Sequence, residues 1–343
     1  MSGLDFARAG FASPAERTPD ADPTPRRHRF SAHGLVFESD LPAPWAMPAP
    51  ADAPADVDVR VGPVRAPAEP ERAAGGWLVE SPTEAWCDWE GLRLRVSDGA
   101  RIGVEMGPGV TPETAAVYLG YAASTALLHQ RGAMPLHAAG AAGPAGGALL
   151  VGDSGAGKST FAAMMARDGW AMVGDDTIAL DLAPGRPIGL HRAMRTARLF
   201  ADSAGAVDAG AQAPVLAEGA GMGKAVRIVS DAGEALPWPA PLRVVLALEW
   251  LHPADAPPEL ERLPTLAALA VLRRAVGRPE LGAQMGRDRA YFRLLGRIAA
   301  EIPVYVLRRP RDFDAAAQAV ALARRVVDRL AAGEDPLAPA PNP

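Results

Sequence analysis

The chain has 343 residues, enough for roughly two domains, and its 49% apolar content supports a packed core. A formal net charge of −5 argues against nucleic acid or an anionic membrane as the main partner. The single cysteine, Cys87, excludes an intrachain disulfide framework, and no Cys/His spacing suits zinc.

Residues 1–26 carry Pro, Arg, Asp and Ala without an apolar stretch, so they read as a disordered tail and not as a secretory signal. No run of about 18 uninterrupted apolar residues occurs, which predicts no membrane span and a cytoplasmic protein. Residues 27–111 read as a β-rich region. Val57, Val59 and Val61 alternate with Asp58 and Arg60, and Leu92, Leu94 and Val96 alternate with Arg93 and Arg95. Asp98-Gly99 then turns the chain into Ile102, Val104 and Met106, a hairpin pattern.

A helix is expected from an N-cap at Thr111, with Pro112 first and Glu113 near the positive end, to about Gln130 before Gly132. It opens a second region, 112–332. Strands are expected at 136–142 and 147–151, a helix at 158–168, and strands at 170–173 and 177–182. Residues 183–240 are rich in Gly, Ala and Pro, with one legible strand at 225–229. Further strands are expected at 243–250 and 302–307, and helical structure over 265–300. A last helix shows Ala316, Val320, Ala323, Val327 and Leu330 on one face. Residues 333–343 read as a second disordered tail.

The segment Gly152-Asp153-Ser154-Gly155-Ala156-Gly157-Lys158-Ser159 fits G-x-x-x-x-G-K-[ST] at every position, between an apolar strand-like run and a helical one. Glycines let main-chain N–H groups curl around a polyphosphate, and the helix N-terminus adds partial positive charge. Lys158 would meet the β- and γ-phosphates, and the Ser159 hydroxyl would ligate Mg²⁺. Thr160 completes the nucleotide-binding set. The chain has only two lysines, Lys158 and Lys224, so one of them at the required place is a specific signal.

Asp175 and Asp176 close the next expected strand. Ligands of open α/β sheets sit beyond the carboxyl ends of strands, so both acids should face the same crevice as the loop. One carboxylate could hold Mg²⁺ and the other could take the proton of an attacking hydroxyl; a solvated acidic turn is the plainer alternative. His137, in an apolar run, fits either a catalytic group or a satisfied core histidine. Arg192, Arg195, Arg198 and Lys224 are further candidates for the γ-phosphate, and Glu249 for a metal. Cys87, between Trp86 and Trp89, reads as a buried small hydrophobe.

On these residues the sequence resembles the HPr serine kinase/phosphorylase family. The carriers are Leu136-His137, the run from Gly152 to Ser159, Gly169 and Asp175-Asp176. The resemblance implies a phosphoenolpyruvate-carboxykinase-like fold with Asp176 as the base that activates a serine hydroxyl. It gives His137 a supporting role and assigns phosphates and Mg²⁺ to Lys158 and Ser159. Leu127-Leu128-His129-Gln130-Arg131-Gly132 and Ile302-Pro303-Val304-Tyr305-Val306-Leu307 fit the divergent HPr-kinase-like bacterial proteins, some of which phosphorylate a precursor peptide. Thr160 stands where the family usually has glutamate, and its glycine-rich signature loop has no good copy here.

The expectation is thus an α/β fold with an α+β tendency: a β-rich N-terminal region and an HPr-kinase-like nucleotide-binding catalytic domain at 112–332. The expected activity is ATP- and Mg²⁺-dependent transfer of the γ-phosphoryl group to a serine of a protein or peptide. Asp176, Asp175 and His137 would be catalytic, with Ser159 and Asp175 on the metal. A kinase or carboxykinase-like enzyme of small metabolites and a non-catalytic ATP-gated binding module stay open as alternatives, as do GTP as donor and a homo-oligomeric state.

Overall fold

A computed structural model describes residues 27–69, 76–89, 91–200, 215–217, 225–229, 236–251 and 256–338, with positions 203, 205 and 207. The tail expected at 1–26, the end of the second tail at 339–343, and Lys224 lie outside the described residues.

The first sheet has eight strands: β1 (His28–Ala32), β2 (Leu35–Ser39), β3 (Met47–Pro48), β4 (Val57–Val61), β5 (Trp77–Ser81), β6 (Glu84–Trp89), β7 (Leu92–Ser97) and β8 (Arg101–Met106). Their order is β3-β1-β2-β4-β8-β7-β6-β5. Only β2–β4 and β4–β8 pair in parallel. The alternation explains β7: Leu92, Leu94 and Val96 are buried, while Arg93 reaches Asp88 at 2.9 Å and Glu105 at 2.7 Å on the other face. Cys87 is fully buried in this core, and burial pushes its thiol up, as expected for a structural residue.

The helix expected to run to Gln130 is present but not regular. It comprises α1 (Pro112–Tyr118), one π turn (Leu119–Ala123) and α2 (Ser124–Gln130). Thr111 caps it, accepting from the Thr114 N–H at 3.2 Å. The wide turn carries Gly120, where a Cβ would stand 2.1 Å from the Met194 sulfur, so the backbone closes on that neighbour.

The phrase at 127–132 forms a joint between the two regions. Gln130 Oε1 accepts from the Gly99 N–H at 2.8 Å, and its Nε2 donates to Val96 O at 2.8 Å. Arg287 donates to the carbonyls of His129 and Gln130 at 2.9 and 2.6 Å. His129 is fully buried between Tyr291 and the Gly277 carbonyl, and burial holds its ring neutral, with a pKa near 4. Replacing Gln130 by Leu strands a buried N–H and a buried C=O. The expected cost is about 2–3 kcal/mol, read as a lower urea midpoint with an unchanged slope.

The second region is built on a mixed sheet. Its strands are β9 (Ala139–Gly143), β10 (Gly146–Val151), β11 (Ala171–Gly174), β17 (Ala240–Leu251), β18 (Glu259–Arg262) and β19 (Val304–Pro310), in the order β11-β9-β10-β17-β19-β18. Between β11 and β17 come the short β12 (Leu180–Asp181) and β13 (Gly189–Leu190), then a three-stranded sheet of β14 (Thr196–Leu199), β15 (Val215–Ala217) and β16 (Ala225–Ile228). The central β10, β17 and β19 are parallel. Helices cover both of their faces, which is why they read as continuous apolar runs. Leu149, Val151, Val245 and Val306 pack with Leu272, Leu295 and Ile298, from α4 (Thr265–Arg274) and α6 (Asp288–Glu301). On the opposite face Leu150, Leu246 and Leu307 pack with Phe161, Met165, Val320 and Val327, from α3 (Lys158–Arg167) and α7 (Phe313–Ala331). Each such side chain contributes about 2 kcal/mol by leaving water.

Several boundaries differ from the sequence reading. The strand expected at 136–142 starts only at Ala139; Leu136 instead makes isolated bridges to Ile178 and Val276. The strand expected at 177–182 shrinks to β12. The 265–300 segment breaks into α4, α5 (Pro279–Gln284) and α6, because Arg278 adopts φ 45° just before Pro279.

Candidate active site

The parallel strands β10, β17 and β19 end together, and their carboxyl ends frame a cleft of about 260 Å³. The loop from Gly152 to Gly157 leaves β10 and enters α3. Gly152 has φ 142°, and a Cβ there would lie 2.9 Å from Leu248 O. Gly157 has φ 79°, and a Cβ would lie 2.7 Å from Arg309 Nη2. Both positions therefore need glycine for conformation and for space. Lys158 Nζ bridges back over the loop, donating to Gly152 O at 2.9 Å and Asp153 O at 3.2 Å. The Ala156 N–H donates to Asp153 O at 3.1 Å, which tightens the curl. The N–H groups of the first turn of α3 have no intrahelical acceptor, and Lys158 adds a full charge beside them.

Across the cleft β11 ends at Gly174, and the two acids follow. Asp175 is 3% exposed. Its Oδ1 accepts from the Ser159 hydroxyl at 2.9 Å and its Oδ2 from the Arg198 N–H at 3.0 Å. Burial pushes this carboxyl above its usual range and the charge of Asp176 adds to that, against the two donors. Asp176 occupies the left-handed region at φ 72°, a conformation costly for most side chains and least so for Asp and Asn. Its Oδ1 lies 3.4 Å from His137 Nδ1 and 3.4 Å from Arg198 Nη1. Burial alone would raise it, but the hydrogen bond and charge of His137, with Arg198 and Arg278, hold it below the usual carboxylate range.

Helix packing braces this side. Thr125 Oγ1 lies 2.8 Å from Thr177 Oγ1, next to the acid pair, and donates to Tyr121 O at 2.7 Å. The Arg198 guanidinium sits 5.5 Å over the Tyr121 ring. The N-terminal helix thus reaches into the geometry of the acids.

The lining of the cleft includes His137, Ser154, Gly155, Gly157, Lys158, Ser159, Thr160, Asp175 and Asp176. Gly152, Asp153 and Ala156 do not line it and instead shape the loop through their backbones. His137 lies before β9 and is half exposed, so it is not a core histidine. Of the three arginines singled out, Arg198 lines the cleft. Arg192 is buried over Trp238, and Arg195 reaches Pro44 O at 3.3 Å. Glu249 pairs with Arg308 at 3.1 Å, outside the cleft.

Sequence reasoning missed Trp250, Arg309, Arg311 and Phe313, which line the other half. The rule that picked out the acids, attention to strand carboxyl ends, also covers Trp250 and Arg309. The signal was present, but the odd-even alternation had to be resolved to choose Trp250 over Glu249 and Arg309 over Arg308.

Neither a protein-family model nor a curated protein matches the chain. Among solved structures it is similar to the Hpr(Ser) kinase/phosphatase from Coxiella burnetii, at 15% sequence identity and a TM-score of 0.28, over 56% of this chain and 96% of that one.

Proposed function

We propose that this chain is an ATP- and Mg²⁺-dependent kinase that transfers the γ-phosphoryl group to a serine hydroxyl of a protein or peptide. Residues 112–332 would be its catalytic domain and 27–111 an attached β-rich region. One observation carries the reading: Asp175 and Asp176 lie across a single cleft from Lys158 and Ser159, with Ser159 hydrogen-bonded to Asp175.

The donor set fits Mg²⁺. Ser159 Oγ and Asp175 Oδ1 are hard oxygens 2.9 Å apart. Among the described residues no cluster of three or more His, Cys, Asp or Glu suits a metal. A kinase Mg²⁺ needs none: one or two protein oxygens, here Ser159 Oγ and Asp175 Oδ1, would hold it together with phosphate and water. When bound, the ion neutralises charge on the phosphates. Lys158 and the first turn of α3 hold the polyphosphate, and Arg198 stands beside the acid pair to meet charge on the transferred group. Asp176, kept ionised, accepts the serine proton as the serine oxygen bonds to the γ-phosphorus. The bond from that phosphorus to the bridging oxygen breaks, and ADP leaves with the electron pair. His137, 3.4 Å from Asp176 Oδ1, orients the carboxylate.

The raised Asp175 carboxyl sets a pH dependence. A group with a raised pKa keeps its proton where a free carboxyl has lost it, so metal-dependent activity falls as pH drops through that raised value. Asp176, held low, is still ionised there. Higher Mg²⁺ favours ionised Asp175, so the acid limb of kcat/KM is expected to move to lower pH as Mg²⁺ rises. Superimposable profiles at low and high Mg²⁺ contradict the assignment of Asp175 to the metal.

The reading is tested by incubating the full chain with γ-labelled Mg-ATP and a pool of serine-containing peptides, with a parallel panel of hydroxylated metabolites. Label recovered on serine supports it. ADP release driven by a metabolite, or ATP binding without turnover with either set, would replace it by one of the two alternatives.

A further inference from the structure

Arg309 is 3% exposed, near the carboxyl end of β19, where it pairs with Trp250 of the parallel β17. Its neighbour Arg308 turns the other way, to Glu249 and Glu261. The Arg309 guanidinium instead lies 4.2 Å from the centroid of the Trp250 ring and 5.2 Å from that of Phe161. Nη2 donates to Ala156 O at 2.7 Å, and Nε is buried without a partner. Among the described residues no carboxylate pairs with it, and burial alone pushes its pKa down to about 10. A buried cation without an anion is costly, and aromatic faces offset only part of that cost.

The location says where the anion comes from. Arg309 and Lys158 both line the cleft, and the Arg309 Nη2 lies against Gly157 and Ala156 of the loop that leads into Lys158. We infer that Arg309 is a fixed counter-charge for the polyphosphate, held against the loop by Trp250 and Phe161, and that it makes the site select for more highly charged phosphate chains. The inference rests on the phosphate-site reading above. It adds a residue for which no motif speaks, a charge seated between Trp250 and Phe161 against the loop. The effect acts through space and through the loop carbonyl, so it should scale with ligand charge.

The test is calorimetric titration of the full chain with ATP, AMP and inorganic tripolyphosphate at several salt concentrations. Wild type is compared with Arg309→Met and Arg309→Lys. Arg309→Met is expected to weaken ATP and tripolyphosphate about tenfold, AMP by about twofold or less, and to flatten the salt dependence. Arg309→Lys, which keeps the charge, is expected to stay within about threefold of wild type for ATP. Equal losses for AMP and ATP with parallel salt lines would make Arg309 a prop for the loop and overturn the inference. So would unchanged affinity in Arg309→Met, or a loss in Arg309→Lys as large as in Arg309→Met. If Arg309→Met does not fold, the lysine variant and the salt series decide alone. Absence of binding by wild type would sink the phosphate-site reading itself, whereas wild-type binding with an indifferent Arg309→Met sinks only this inference.

Discussion

Asp176→Asn is expected to lower kcat for phosphoryl transfer about a thousandfold while the dissociation constant for Mg-ATP changes less than about threefold. The substitution keeps the shape and removes the ability to take a proton. It should also fold, because asparagine tolerates the left-handed backbone at φ 72° as well as aspartate does. Asp176 makes its contacts with His137 and Arg198, not with the loop that holds Lys158, so nucleotide affinity is insulated from it. Single-turnover quench with the labelled acceptor reads the chemical step, and calorimetry reads binding. Full transfer by Asp176→Asn would remove the proposed base. A parallel loss of ATP affinity would place Asp176 on the nucleotide instead.

Lys158→Met is expected to weaken Mg-ATP about a hundredfold, since a charge-assisted contact to phosphate is worth about 2–3 kcal/mol in a partly buried site. Methionine keeps the unbranched stem within α3, and Lys158 is 7% exposed, so the packing survives. What disappears is the ammonium that Gly152 O and Asp153 O hold over the loop. Equilibrium binding of a fluorescent ATP analogue, with circular dichroism to verify the fold, reads the effect. Unchanged affinity would mean that the loop wraps no phosphate.

How much of this was legible in the sequence depended on how local the determining physics is. The strands β7 and β8 around Asp98-Gly99 were legible because a half-buried sheet writes its alternation into consecutive residues. The loop from Gly152 to Ser159 was legible because backbone curvature demands glycine at fixed positions. Asp175 and Asp176 could be placed by a topological rule once β11 had been recognised. The π turn at 119–123 was hidden, because the neighbour packed against its Gly120 is Met194, distant in sequence. Arg309 was only half legible: the strand-end rule reaches it, but Arg308 and Arg311 stand beside it, and only the seat between Trp250 and Phe161 against the loop distinguishes it from them. The part played by Tyr121 and Thr125 behind the acids belongs to the same class, a contact between segments that the sequence separates widely.

The most direct measurement is a calorimetric titration of the full-length chain with Mg-ATP and, separately, Mg-GTP. Saturable one-site binding of at least one of them, abolished or strongly weakened in Lys158→Met and retained in Asp176→Asn, is the result expected of a phosphate loop facing a catalytic acid pair. A chain that shows no heat with either nucleotide, under conditions where it is folded, contradicts it.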